Sequence, residues 1–310
     1  MVNVAVSEPQ FDPRVADLLK GAIDPHVHSG PSIATRGIDH LELARDASEA
    51  GMAAIVTKDH DYSGVMCAAL IEKHHPELTT RVFSSVVLNN VVGGLNPFAV
   101  EHTAAMGGKT VWLPTLTAAH HAKWERTSGI EHPASTTKIR PAEIIPVVGD
   151  DGQLFDSVKE ILDTIARTGI TLATGHLHIS ESWIVVREAI TRGVERIVIT
   201  HPEDIVEGTI EDVAGLAELG AFIEHSLSFF VPGSAFRSRT AEDLRAHIDA
   251  AGVDKTIMSS DLGQNGLLHP IDGMREGIQM CLDLGYGEPD IRKMFSTNAR
   301  RAFDIEIVQI

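Results

Sequence analysis

A chain of 310 residues with 43% hydrophobic and 22% charged residues has the make-up of a globular protein with room for a large core. Its 26 basic residues against 43 acidic ones give a formal charge of -17, which repels phosphate backbones and anionic lipid. Nucleic acid and membrane surfaces are therefore not expected partners.

Residues 1–10 carry no basic region followed by an apolar run, and no later segment reaches bilayer length, so a cytoplasmic location is expected. Cys67 and Cys281 lack metal-ligand spacing and read as small buried hydrophobes of a reducing compartment. After a helix expected near residues 12–20, apolar β-branched runs alternate with amphipathic stretches, the pattern of repeated βα units and a parallel sheet. Strands are expected at 22–28, 53–60, 81–88, 110–115, 170–176, 196–201, 221–225 and 256–261. Eight such units make a (β/α)8 TIM barrel. Between them, Asp39 is placed to cap a helix that runs to Ala50-Gly51. The stretch from Asp156 has helical spacing and stops at Thr168-Gly169, and Thr209-Ile210-Glu211-Asp212 has the form of a capping box. One connection is long: about forty residues separate the fourth strand from the helix at Asp156, against a usual loop of about 2–6. Within it, residues 144–148 read as an extended piece ending in a turn at 149–152. The chain divides as an N-terminal segment and helix (1–21), one barrel (22–303) with an insertion at about 116–155, and a tail (304–310). A wall or lid over the pocket and a surface excursion are both open readings of the insertion.

Chemistry gathers at the ends of these strands. Asp24, His26 and His28 share a face of the first strand by alternation, so two imidazoles lie close enough to bind one ion. The alternative is a hydrogen-bonded histidine pair. Lys58 and His60 end the second strand, His176 and His178 end or follow the fifth, and His201, His225 and Asp261 end the sixth, seventh and eighth. In a parallel barrel these ends open onto one face, and core packing gives no reason to put ionisable groups there.

Asp24-Pro25-His26-Val27-His28, Thr174-Gly175-His176, Ile199-Thr200-His201 and Ser259-Ser260-Asp261 together resemble the metal-binding signature of the amidohydrolase superfamily. The segment Thr297-Asn298-Ala299-Arg300 is similar to the Asn-Pro-Ala-Arg stretch of many members. The likeness spans 22 to about 303 and lies nearest to an uncharacterised amidohydrolase-like group. The resemblance implies that His26, His28 and Asp261 hold a first metal. His176 and His201 would complete that site or hold a second ion, and Asp261 would take the proton from the activated water. Zinc suits such an imidazole-rich site, with Mn2+, Fe2+ or Co2+ as other choices. Two-metal members bridge their ions with a lysine or glutamate from the fourth strand. Thr110-Val111-Trp112-Leu113-Pro114-Thr115 supplies neither, so one ion is favoured.

Lys58 is expected at the rim of the metal pocket, for a substrate carboxylate or oxyanion. An ion pair with Asp24, Asp59 or Asp61 is its structural alternative. Arg36, on the first βα loop, would meet an anionic group or stay solvated. His60 and His178 are further substrate-binding candidates. His178, His225, His120 and His121 would line the pocket, orient a ligand or simply be buried. His40, His74, His75, His102, His132 and His247 read as background. The expected function is a metal-dependent hydrolase cleaving a C–N or C–O bond (amide, imide, lactone or ester) of a small carboxylate-bearing substrate, with His201 or Lys58 steadying the oxyanion. The alternatives are a metal-dependent decarboxylase of an unsaturated acid and a non-catalytic ligand-binding barrel. The partner expected is a small molecule, with a homo-oligomer left open.

Overall fold

A computed structural model describes residues 11–128 and 138–307. The N-terminal ten residues, His132 and part of the 116–155 insertion lie outside the described residues. Eight strands form one sheet in sequence order: β1 (Ile23–Val27), β2 (Ala54–Thr57), β3 (Arg81–Val87), β4 (Thr110–Trp112), β5 (Thr171–Ala173), β6 (Ile197–Thr200), β7 (Phe222–Ser226) and β8 (Thr256–Ser259). Every adjacent pair from β1–β2 to β7–β8 is parallel. The ring is brought round by the chain after β8, where Asp261 N–H donates to the His26 carbonyl (2.9 Å) and His28 N–H to that of Leu262 (2.8 Å). The expected (β/α)8 barrel is what forms, and its closing bonds involve the residues of interest.

The helices are α1 (Arg14–Leu19), α2 (His40–Glu49), α3 (Val65–His74), α4 (Pro97–Ala105), α5 (Ala119–Ser128), α6 (Asp156–Thr168), α7 (Ile179–Thr191), α8 (Ile210–Glu218), α9 (Ala241–Ala251), α10 (Pro270–Asp283), α11 (Glu288–Arg292) and α12 (Asn298–Ala302). Their ends follow local chemistry. Asp39 accepts from the amides of Leu41 and Glu42, and Thr209 with Asp212 forms the reciprocal box that opens α8; such caps satisfy N–H groups that the helix leaves unpaired. α6 buries Val158, Ile161, Leu162 and Ile165 on one face and ends on Gly169 at φ 70°. Each of those side chains removed from water contributes roughly 1.5–3 kcal/mol. Among the described residues no helix is long and apolar enough to cross a membrane.

The barrel interior is filled by Ile23, Ala54, Val56, Val87, Trp112, Ala173, Val198, Phe222 and Ile257, with Ala299, Ala302 and Phe303 closing the floor. Asn298, in the Thr297-Asn298-Ala299-Arg300 segment, donates to the carbonyls of Val253 and Thr256 (both 2.7 Å) and so ties that floor beneath β8. Alternate strand residues such as Leu172, Ile199 and Ile223 point outward into the helical layer.

The strands stop earlier than expected. β2 ends at Thr57, β5 at Ala173 and β8 at Ser259, so Lys58, His60, His176, His201 and Asp261 start the loops. Beyond these ends the pairing continues only as single backbone bonds, such as Lys58 N–H to the Val27 carbonyl (2.9 Å) and His176 N–H to that of Pro114 (3.1 Å). The extended piece expected at 144–148 reduces to a single antiparallel bridge, Val148 with Leu154. The turn is there, with Gly149 N–H donating to the Gln153 carbonyl (2.8 Å). Cys281 is buried as expected, whereas Cys67, on the outer α3, is only partly so.

Candidate metal centre

Strand alternation is broken at the first motif. Pairing shifts register between Asp24 and Val27, so Ile23 joins the interior layer while Asp24 turns away from the imidazoles. The Asp24 carboxylate accepts from the backbone N–H of His26 (3.3 Å) and Ser260 (3.0 Å). This corrects the expectation of one face shared by Asp24, His26 and His28. Burial pushes the Asp24 carboxyl up to about 7 against those hydrogen bonds, and its role is to join β1 to β8.

His26 and His28 do face one point. Asp261 Oδ1 lies 3.0 Å from His26 Nε2 and 3.0 Å from His28 Nε2, and these three ligand atoms fall within 4.8 Å of one another. The opposite edge of each ring is already engaged: His26 Nδ1 with Glu224 Oε1 (2.6 Å), His28 Nδ1 with the Lys58 carbonyl (2.8 Å). A carbonyl can only accept, so His28 Nδ1 carries its proton and its Nε2 presents a lone pair. The Glu224 contact favours the same tautomer in His26. The Lys58 ammonium already meets His26 Nε2 at 3.0 Å, whereas His28 Nε2 faces Asp261, and an imidazole held by a carbonyl or carboxylate is the usual support of a metal ligand. The donor set therefore fits a divalent ion.

Neighbouring charges act on the two histidines in opposite directions, and an ion at His26 Nε2 would take the place of a proton. Burial opposes charging of His26, but Asp261 and Glu224 on either side outweigh it and raise its proton affinity. Burial, helped by Arg36, lowers His28 to about 3. Burial alone would raise Asp261, yet the two histidines hold it well below the ordinary carboxylate range. Two non-glycine residues here have left-handed backbone, His201 at φ 24° and Asp261 at φ 50°, a conformation that persists only where the surroundings enforce it. Gly263, at φ 114°, allows the loop to approach: a Cβ there would lie 1.7 Å from the His28 carbonyl oxygen.

His176 and His201 stand across the mouth, with ring centres 5.0 Å apart and His201 6.1 Å from His26. His176 Nδ1 is 2.9 Å from His121 Nδ1, so His121, on α5, orients a neighbour. Burial lowers the proton affinity of both His176 and His201, keeping them neutral, as ligands must be. Among the described residues His201 Nδ1 is buried without a hydrogen-bond partner.

Lys58 is deeper than expected. It is 1% exposed, with Nζ 3.0 Å from His26 Nε2 and 4.4 Å from the centre of the Trp112 ring. Residues 54, 56 and 58 share the inward parity, and that parity buries the side chain beside His26 and over Trp112, where it still lines the cavity. Burial brings its ammonium down to about 8. His60 bonds Thr115 Oγ1 (2.8 Å) and stacks 5.2 Å from His28.

A cavity of about 870 Å3 opens above the cluster, lined by His28, Arg36, Lys58, His60, His201 and Asp261 among others. Part of its lining is apolar, including Trp124, Ile205 and Phe229. His178 does not line it; this candidate for substrate contact caps α7 through Nδ1 instead. His225 points out of the barrel, because Phe222 and Glu224 hold the inward positions of β7, and it pairs with buried Glu203. Glu224 is the site residue that sequence reasoning left without a definite role. Its signal was a carboxylate at the same parity as Phe222 in a wholly buried strand.

A family model described as "Family of unknown function (DUF6282)" matches residues 21–224. No curated protein matches. Among solved structures, an amidohydrolase from Pseudomonas aeruginosa is 14% identical, with 94% of this chain and 99% of that one covered at a TM-score of 0.62. A variant organophosphorus hydrolase from Deinococcus radiodurans is 15% identical, covering 93% and 94% at 0.56. A 2,6-dihydroxybenzoate decarboxylase, solved with 2,6-dihydroxybenzoate, is 12% identical, covering 92% and 100% at 0.51. At such identities the likeness establishes a shared fold.

Proposed function

The chain belongs to the family of unknown function DUF6282, and from that premise and the cluster at the barrel mouth we propose that it is a metal-dependent hydrolase of a small amide, imide, lactone or ester. The observation that carries this is the convergence of His26 Nε2 and His28 Nε2 on Asp261 Oδ1, at 3.0 Å each. Those residues would hold the ion, with His176 and His201 completing its surroundings or holding a second. Zinc is the choice best matched to neutral imidazoles and one carboxylate. A divalent ion there supplies Lewis acidity, which lowers the pKa of water from 15.7 toward about 7 and polarises a carbonyl.

The chain's own groups do the rest. Asp261, anionic and lining the cavity, accepts the proton of the attacking water and returns it to the leaving group. His201 and the Lys58 ammonium stabilise the negative charge that develops on the carbonyl oxygen. Arg36, on the cavity wall, orients an anionic substituent. The apolar wall around Trp124 and Phe229 excludes bulk water, which strengthens each of these interactions. Hydrolysis in 18O-labelled water by the zinc-loaded protein tests the reading across a panel of lactones, imides and acyl amides. Label appears in the acid product if it holds, and loss of carbon dioxide without label incorporation rejects it in favour of decarboxylation. That second reading is supported by two cations on the cavity, buried Lys58 and half-buried Arg36, which suit a substrate carboxylate, and by the likeness in fold to the decarboxylase.

Glu224 holds the Nδ1 edge of His26 and also accepts from Ser259 Oγ (2.6 Å). Glu224→Gln is expected to weaken zinc binding by about 10–100-fold, the usual effect of removing the carboxylate behind a metal-binding histidine. Competition with a chelator measures it.

A further inference from the structure

Beyond the barrel mouth, three connections meet at a second group of metal-ligating atoms. His120 comes from the first turn of α5, His178 from the residue capping α7, and Glu207 from the loop between β6 and α8. Their ligand atoms lie within 4.8 Å of one another, and none of the three lines the large cavity.

The geometry has the spacing of coordination instead of direct hydrogen bonding. Glu207 Oε2 is 3.6 Å from His178 Nε2, and Glu207 Oε1 is 4.0 Å from His120 Nε2. Both separations exceed the range of about 2.7–3.2 Å for N–H···O bonds. Ligand atoms around a tetrahedral zinc at about 2.0–2.1 Å are separated by about 3.3–3.4 Å, so shifts of a few tenths of an ångström suffice. The rings of His120 and His178 stand 4.7 Å apart at 62°. His120 is 8% exposed, and its Nε2 is buried without a hydrogen-bond partner among the described residues. A buried polar atom left in that way is uncommon and asks for a ligand. His178 Nε2 faces Glu207, while Ser180 engages its Nδ1 edge, with Oγ at 2.7 Å and a donated N–H at 3.2 Å. An ion at Nε2 replaces the proton that the accepting Nδ1 leaves there, and the ring then donates from Nδ1 to Ser180 Oγ. The carboxylate neutralises part of the charge of a divalent ion, and its side chain, 53% exposed, keeps one approach open to water and metal.

We propose that His120, His178 and Glu207 form a divalent-metal site of the zinc type, separate from the cluster around His26, that clips α5 to the connections following β5 and β6. The consequence is mechanical. α5 also carries Trp124, part of the apolar cavity wall, and His121, which contacts His176. An ion at this site fixes that wall by linking segments that are distant in sequence.

The test is a zinc titration of the metal-free full chain against a chromophoric chelator, comparing the unaltered protein with His178→Asn and Glu207→Gln. Both positions are partly exposed, with side chains 35% and 53% accessible, and asparagine retains the capping function of residue 178. Each variant is expected to bind one zinc equivalent fewer than the unaltered chain while retaining the equivalent abolished by His26→Ala/His28→Ala. Unchanged zinc stoichiometry in both His178→Asn and Glu207→Gln overturns the proposal. Because the comparison is a difference in bound metal, its outcome is independent of whether the barrel mouth is hydrolytic.

Discussion

Asp261→Asn is expected to fold, to keep much of its metal and to lose about 10²–10⁴-fold in kcat, the usual contribution of a general base. The substitution isolates the proton-accepting role because asparagine has nearly the same shape and retains one oxygen toward His26 and His28. It also suits the backbone: residue 261 sits at φ 50°, a region in which asparagine is among the better tolerated residues. What it removes is the negative charge that the two histidines hold deprotonated. Initial rates with the zinc-loaded protein, set beside its metal content and thermal unfolding, give the result. Turnover equal to that of the unaltered enzyme would rule out Asp261 as the proton acceptor.

The double replacement His26→Ala/His28→Ala has the larger consequence for the metal. With both Nε2 atoms gone, the carboxylate of Asp261 is the remaining member of the close trio, and one oxygen ligand does not hold zinc against water and buffer. The principal equivalent of bound metal should disappear on elemental analysis, and activity with it. Stability should fall too. Lys58 and Glu224 are both fully buried beside His26, and removing the partner of a buried charge costs about 3–5 kcal/mol. Far-UV circular dichroism distinguishes a folded, metal-free barrel from an unfolded chain. Full metal occupancy in a folded double variant would reject the assignment of the principal site.

The barrel itself was legible because its signal is repeated. Eight β-branched runs separated by capped amphipathic helices leave few other ways to bury that much apolar surface, and Asp39, Gly169 and Thr209 sit at the ends where capping chemistry puts them. The long connection after β4 was legible as a departure from short loops, though not in its conformation, because polar, turn-rich segments take their shape from what they touch.

Within the site, alternation along a strand reads inward and outward positions and nothing more. It places Lys58 inward with Ala54 and Val56, and Asp261 inward with Ile257 and Ser259. By the same count His176 follows the outward parity of Leu172, and His201 that of Ile197 and Ile199. Their rings nevertheless line the cavity. The chain turns through left-handed backbone at Gly175, φ 64°, and at His201 itself, φ 24°, which brings both side chains back over the mouth. Position 175 also needs glycine, since a Cβ there would lie 2.3 Å from the Leu113 carbonyl oxygen.

By itself, then, the amino-acid sequence determined the βα repeat, the capped helices, the acidic surface and the set of ionisable residues near the strand ends, all of which follow from local propensity and periodicity. Only the tertiary structure decided that Asp24 braces two strands, that Lys58 is buried against His26 and Trp112, that Glu224 supports His26 and that His120 and His178 meet Glu207 outside the cavity. The physical reason is range: periodicity constrains neighbours along one element, whereas the direction of a side chain at a strand end depends on a bulge, a positive φ or a partner contributed by residues far away in the chain.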